Sequence, residues 1–200
     1  VTMADNPNIT EPLKQSAKTW MFLILGLSML GGLAGIASAF MSEMPTGNIL
    51  IVSFFVVGLV QIFAGFRLLH MVGAKRLIML GVVYVVIALL YGNIGDARFT
   101  TLMRLFHVPL LTVFVVVLSA FRLGIAFSYK RRDAEQWVGM LVVALLSMLN
   151  GVVLVIWIES LVVIRIVSSM ELVFAGMMAF LIAGNVLPRK HYGDVEDFDD

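Results

Sequence analysis

Six long apolar runs, separated by short polar segments, make up most of this sequence. They extend approximately over residues 19–41, 49–71, 77–91, 108–129, 137–158 and 161–186. An α-helix needs about 20 apolar residues to cross the hydrocarbon core of a bilayer. Of the 200 residues, 60% are hydrophobic and only 14% are charged, whereas about a quarter of a typical soluble domain is charged. The sequence therefore predicts an all-α, polytopic membrane protein with six transmembrane helices.

The connections between the runs are short, and they differ in charge. Tight links such as residues 44–47 and 73–76 make successive helices antiparallel neighbours, which predicts three antiparallel hairpins. Nine basic residues fall on the side that holds both termini: Lys14, Lys18, Lys75, Arg76, Lys130, Arg131, Arg132, Arg189 and Lys190. The opposite side has three, Arg98, Arg104 and Arg165. The positive-inside rule then predicts that both termini are cytoplasmic.

The two ends of the chain are more polar than the predicted transmembrane domain of residues 19–186. Residues 1–18 are predicted to form a cytoplasmic N-terminal segment, and residues 187–200 an acidic cytoplasmic tail. The first apolar run is too long for the core of a signal peptide, so we expect it to be a retained span. The third run has only 15 residues, and residues 97–106 after it have apolar side chains at helical spacing. That segment is expected either to lie in the outer interface or to extend the fourth span, kinked at Pro109.

The second, fourth and sixth spans share a pattern in which one polar residue lies between two small ones. The three matches are Gly58-x-x-Gln61-x-x-x-Gly65, Ser119-x-x-Arg122-x-x-x-Ala126 and Ser168-x-x-Glu171-x-x-x-Ala175. Offsets of three and four residues share one helical face, and the three polar residues have similar predicted depths. The pattern predicts pseudo-repeats whose polar groups meet inside the bundle.

Glu171 is the acidic member of that predicted cluster, and three hypotheses account for it. It can form an ion pair with Arg122, with Gln61 or Asn150 completing the hydrogen bonds. It can be neutral and donate a hydrogen bond, because desolvation disfavours a charged carboxylate. It can titrate within a proton or solute pathway. Glu171→Gln separates the first two, since only an ion pair depends on the carboxylate charge.

Small residues also line one face of the first span, where they predict close helix packing. This predicted packing face consists of Ser28, Gly31, Gly32, Gly35 and Ala39. Such a face suits self-association or contact with subunits of a larger membrane complex. The expected partners are therefore the lipid bilayer and either further copies of the chain or other membrane-protein subunits, with no nucleic acid.

No catalytic, cofactor-binding or metal-binding pattern stands out in the sequence. It has no phosphate-binding glycine loop, no zinc-ligand spacing and no serine elbow, and its three histidines are scattered. Cysteine is absent, which excludes thiolate chemistry. We therefore expect a protein that is not an enzyme and that has no cofactor and no metal site.

Three short motifs give the chain a resemblance to a known family. They are Gly58-Leu-Val-Gln61-Ile in the second span, Ser147-Met-Leu-Asn-Gly-Val152 in the fifth and Glu171-Leu-Val-Phe-Ala-Gly176 in the sixth. With the six spans, they resemble the HdeD family of small bacterial acid-resistance membrane proteins over about residues 18–183. The resemblance implies a location in the bacterial inner membrane, a link to acid stress and no established biochemical activity.

The functional expectation combines these observations. We expect a non-enzymatic membrane protein, stress-related or structural, that acts through self-association or through partner proteins. The alternatives are an accessory subunit of a larger membrane complex and a small proton or solute transporter or channel.

Overall fold

The computed structural model of the protein describes residues 7–41, 46–94, 101–157, 160–184 and 186. These residues form six α-helices and no β-strand. The helices are α1 (Pro7–Ala39), α2 (Thr46–Arg67), α3 (Ala74–Ile94), α4 (Thr101–Lys130), α5 (Trp137–Ile156) and α6 (Leu161–Gly184). In hydrocarbon a helix satisfies its backbone hydrogen bonds within one segment, which is why long apolar runs fold this way. The predicted all-α fold is confirmed.

Five of these helices, α1, α2, α4, α5 and α6, are long and apolar enough to cross a membrane. They are the helices expected of a multi-pass membrane protein. Many large apolar side chains point outward, such as Phe63, Leu89 and Leu149, which are about 60% exposed. Water would make such a surface costly, whereas lipid tails are as apolar as the side chains themselves.

The helix boundaries differ from the sequence prediction in three places. The first helix begins at Pro7, inside the predicted N-terminal segment, and it continues through Pro12. The third helix has 21 residues rather than 15. The fourth begins at Thr101 and runs through Pro109 as one helix, so the part of 97–106 that the structure describes extends the fourth helix. The predicted acidic tail, 187–200, lies outside the described residues.

Each helix packs against the next along the chain, and α6 also lies against α1. The most extensive contacts join α2 to α3, α1 to α6 and α4 to α5, while α1–α2, α3–α4 and α5–α6 pack less extensively. The predicted pairing into three hairpins is therefore not confirmed, because the closest pairs are displaced by one helix. Loop length makes consecutive helices neighbours, but the positions of small residues decide which neighbours approach most closely.

Glycines bring the backbones of α2 and α3 together. A Cβ atom added to Gly58 would lie 2.7 Å from the carbonyl oxygen of Gly81, and one added to Gly81 would lie 2.6 Å from the carbonyl oxygen of Gly58. Neither oxygen can move without displacing its helix. The two helices therefore touch backbone to backbone, which no residue larger than glycine allows.

The predicted packing face of α1 lies against other helices of the same chain. A Cβ atom on Gly32 would be 2.9 Å from the carbonyl oxygen of Ser169 in α6, and one on Gly31 would be 2.7 Å from Ser53 Oγ in α2. Gly35 faces Ser169 as well, and Ser28 and Ala39 are buried. The face is occupied by α6 and α2, and so it is not a free surface for another protein.

Candidate functional site

A buried ion pair lies at the centre of the site. Arg122 on α4 donates a hydrogen bond from Nη1 to Oε2 of Glu171 on α6, with 2.5 Å between the two atoms. Both side chains are only 1% exposed. Arg122 Nη2 also donates to the backbone carbonyl of Glu171, at 3.1 Å. The guanidinium is thus bound to both the side chain and the backbone of one residue.

Tyr84 on α3 joins this pair through its hydroxyl group. The hydroxyl accepts a hydrogen bond from Arg122 Nη2 and donates one to the backbone carbonyl of Glu171, at 3.0 Å. The tyrosine is fully buried, and its ring packs against Phe54 of α2 with 5.5 Å between the ring centroids. A buried hydroxyl normally finds a partner, and here it connects α3 to both α4 and α6.

Two side chains of α5 complete the cluster. The Ser147 hydroxyl accepts a hydrogen bond from Arg122 Nη1 and lies within hydrogen-bond distance of both Glu171 carboxylate oxygens, at 3.0 and 3.1 Å. Asn150 Nδ2 donates to Glu171 Oε1 and to the Val167 carbonyl, both at 2.8 Å. Ser119 Oγ on α4 is 2.9 Å from Ser147 Oγ. Residues three apart on α5 therefore hold the carboxylate from one face of that helix.

The cluster satisfies both of its charges. Each Glu171 carboxylate oxygen accepts hydrogen bonds, and each terminal nitrogen of Arg122 donates two. An isolated charge inside a membrane is very costly, and the cost falls when the opposite charge and further hydrogen bonds accompany it. The geometry favours the ion-pair hypothesis for Glu171 over the neutral one, because a cationic donor faces the carboxylate at short distance.

Gln61 lies near this cluster without bonding to it. The side chain is 2% exposed, and its Oε1 has no hydrogen-bond partner among the described residues. It lines a small cavity together with Tyr84 and Arg122. Of the four residues predicted to meet, Arg122, Glu171 and Asn150 are joined directly, whereas Gln61 only lines the same cavity as Arg122.

Sequence reasoning missed Tyr84 and the role of Ser147. The sequence contains a feature that could have identified each of them. Tyrosine in membrane helices is enriched at the interfaces, so one in the middle of an apolar run points to a buried polar partner. Ser147 precedes Asn150 by three residues, which places both on one helical face. Ser119 was recognised only as a small residue of the repeat.

The described residues include no group of three or more His, Cys, Asp or Glu placed to hold a metal ion. No protein-family model, no curated protein and no solved structure matches this chain. Its function therefore has to be inferred from its own residues and their geometry.

Proposed function

We propose that this protein is a non-enzymatic, structural protein of a bacterial inner membrane, which acts by associating with itself or with other membrane proteins. The polar cluster carries the proposal. Arg122 and Glu171 satisfy each other within the bundle, so neither charge is left over to bind a solute. Interhelical hydrogen bonds of this kind stabilise the relative positions of helices, and four helices contribute to them.

The proposed arrangement has six spans with both termini in the cytoplasm. We include α3 as the sixth span because its 21 residues reach about 31 Å at 1.5 Å per residue, the thickness of a hydrocarbon core. Its backbone contact with α2 supports the same placement. The excess of Lys and Arg at the end that holds the α2–α3 and α4–α5 turns supports the orientation.

A stress-related role follows from the resemblance to the HdeD family. Two of the three motif segments that carry the resemblance, 147–152 and 171–176, contain residues of the polar cluster, Ser147, Asn150 and Glu171. This supports the proposal, because the segments shared with the family would then be the ones that hold the bundle together.

Self-association would use the outer face of α5. Among the five long apolar helices, α5 has the smallest buried share. Six of its nine exposed large apolar side chains are spaced four, three, four, three and four residues apart, and these six are between 46% and 62% exposed: Val138, Val142, Leu145, Leu149, Val152 and Ile156. A seam with this heptad spacing packs knobs into holes against a second helix of the same kind. A second copy of α5 offers such a helix.

Cysteine cross-linking in native membranes tests the association. The chain contains no cysteine, so a single Leu149→Cys variant gives an unambiguous signal. Oxidation is expected to produce a cross-linked dimer with Leu149→Cys and none with Leu89→Cys, a control on α3 that is just as exposed, at 62% against 60%. Equal cross-linking of both variants, or of neither, would count against association through α5.

A small proton or solute transporter is the second candidate, favoured by the cavity beside Arg122. Flux across liposomes separates the two functions. The structural proposal expects the purified protein to conduct protons no better than empty vesicles do. If the protein carried a proton flux that disappears with Glu171→Gln, and remained monomeric in native membranes, the transporter hypothesis would replace the structural one. Co-purification in mild detergent of a stoichiometric larger complex would instead identify an accessory subunit.

A further inference from the structure

A cavity about the size of one water molecule lies between α1, α2, α3, α4 and α6. Its polar wall consists of Gln61, Tyr84 and Arg122, and the rest of its lining is apolar, including Leu80 and Met178. Genuinely empty cavities in proteins are lined by apolar groups alone. A lining that contains three polar side chains is therefore the kind of surroundings in which an ordered water is found.

Gln61 supplies a separate reason for a bound molecule. Its Oε1 atom is buried and has no partner among the described residues. Leaving a buried acceptor unsatisfied is costly, so such atoms normally have a protein or water partner. A hydrogen-bond donor in the cavity would remove that cost.

We propose that one water molecule binds in this cavity, donates a hydrogen bond to Gln61 Oε1 and hydrates the Tyr84–Arg122 side of the ion pair. A buried water typically makes two to four hydrogen bonds, roughly three on average. The Gln61 amide and the second lone pair of the Tyr84 hydroxyl can accept them, whereas both terminal nitrogens of Arg122 already donate two. The water completes the polar cluster at Gln61 Oε1, which none of the described residues reaches with a hydrogen bond.

A second cavity provides the route by which this water exchanges. It lies at the end of the bundle that holds the α2–α3 turn, and its lining includes Met21, Met71 and Ala74. The two cavities share three aliphatic lining residues, Leu77, Ile125 and Ile182. These three side chains border both cavities, so their movement would connect the polar cavity to the one at the end of the bundle. Water therefore reaches the ion pair from the end that the basic residues predict to be cytoplasmic. This inference goes beyond the proposed function and does not depend on it.

Radiolytic footprinting tests the water site, because hydroxyl radicals formed from a bound water oxidise side chains that bulk water does not reach. Met178 lines the cavity and is 3% exposed, whereas Met140 is 0% exposed and lines neither cavity. In nanodiscs exposed to short X-ray pulses, mass spectrometry is expected to find Met178 oxidised several-fold faster than Met140. Equal rates at the two methionines would overturn the proposal.

Two variants test the site and its route separately. Gln61→Leu removes the acceptor at similar volume, and Met178 oxidation is expected to fall to the Met140 rate. An unchanged rate would contradict a water held by Gln61.

Mixing the protein with ¹⁸O-water before the pulse measures how fast the bound water exchanges. Leu77→Ala shortens a side chain that borders both cavities, so the exchange is expected to be faster. Exchange as slow as in the original protein would rule out this route. The mixing measurement uses a protein that retains Gln61, so it gives a result even if Gln61→Leu does not fold.

Discussion

The contact between α2 and α3 and the contacts among α4, α5 and α6 hold the same bundle by opposite means. The first is a backbone-to-backbone contact at Gly58 and Gly81, with no polar side chain between the two glycines. The second is built from charged and polar side chains, centred on Arg122 and Glu171. Lipid tails give apolar helices little reason to associate, so close packing and polar cross-links are the two remaining means. An added atom is therefore expected to disturb the α2–α3 contact, and a missing partner the polar cluster.

The largest expected effect comes from removing one charge of the ion pair. Glu171→Gln keeps the shape of the side chain but leaves Arg122 buried without a counter-charge, and breaking a buried pair in this way costs roughly 3–5 kcal/mol. The free energy of unfolding, measured by steric trapping in bicelles, is expected to fall by about that amount. The same loss is expected for Arg122→Gln, which leaves the carboxylate unpaired.

Two further results bear on the charge state of Glu171. A double variant, Arg122→Met with Glu171→Met, removes both charges and is expected to be more stable than either single charge-removing variant, since apolar replacements of buried ion pairs are often neutral or stabilising. If Glu171→Gln alone changed the unfolding free energy by less than about 1 kcal/mol, the carboxyl group would be neutral in the protein and the ion-pair hypothesis would be wrong.

The next largest effect concerns added volume between α2 and α3. Gly58→Val places a branched side chain where even one Cβ atom would be 2.7 Å from the Gly81 carbonyl oxygen, and overpacking of this kind typically costs about 1–3 kcal/mol. Gly26→Val is the matched control, because nothing lies within 4 Å of a Cβ atom at Gly26. Steric trapping is expected to show a loss for Gly58→Val only. Equal losses for both would mean that glycine acts through helix propensity rather than through close approach.

The difference between the two regions also explains what sequence could predict. Hydropathy is a property of each segment alone, so the helices followed from the apolar runs. Charged residues inside a membrane are costly and usually pair, so the sequence identifies Arg122 and Glu171 and predicts that they bind each other. In contrast, the pairing of α2 with α3 depends on the register at which Gly58 meets Gly81. Small residues are common in every span, so their positions alone did not identify that register.

Gln61 shows the limit of the repeat argument. Its small-polar-small pattern matched those of Arg122 and Glu171, and the flanking small residues are buried in all three helices. The pattern gives the buried face and the depth of a side chain, but it does not say whether a polar atom lies within hydrogen-bond distance of another. Tyr84 was missed because the third apolar run, 77–91, contains no charged residue that would indicate a partner for its hydroxyl.

A smaller effect is expected for Tyr84, a residue of α3 that contacts both α2 and the polar cluster. Its hydroxyl bonds to Arg122 and to the Glu171 carbonyl, while its ring packs on Phe54 of α2. Tyr84→Phe keeps the ring and removes one acceptor of a charged donor, which is expected to cost roughly 1–2 kcal/mol of unfolding free energy. In a double-mutant cycle, Tyr84→Phe is expected to couple to Arg122→Met. An additive result would show that the hydroxyl is energetically independent of the guanidinium.

The smallest effect distinguishes two buried serines, one in the polar cluster and one on the packing face of α1. Ser147 contacts both members of the ion pair, whereas Ser28, on the packing face of α1, has an Oγ atom with no partner among the described residues. Ser147→Ala is expected to cost about 0.6 kcal/mol, the average for interhelical hydrogen bonds in membranes, and at most about 1.7 kcal/mol. Ser28→Ala removes only an unsatisfied hydroxyl, so the unfolding free energy is expected to stay the same or rise. A loss at Ser28 as large as that at Ser147 would mean that the packing face of α1 also relies on a polar cross-link, and that close packing and polar cross-links are not separate means of holding these helices.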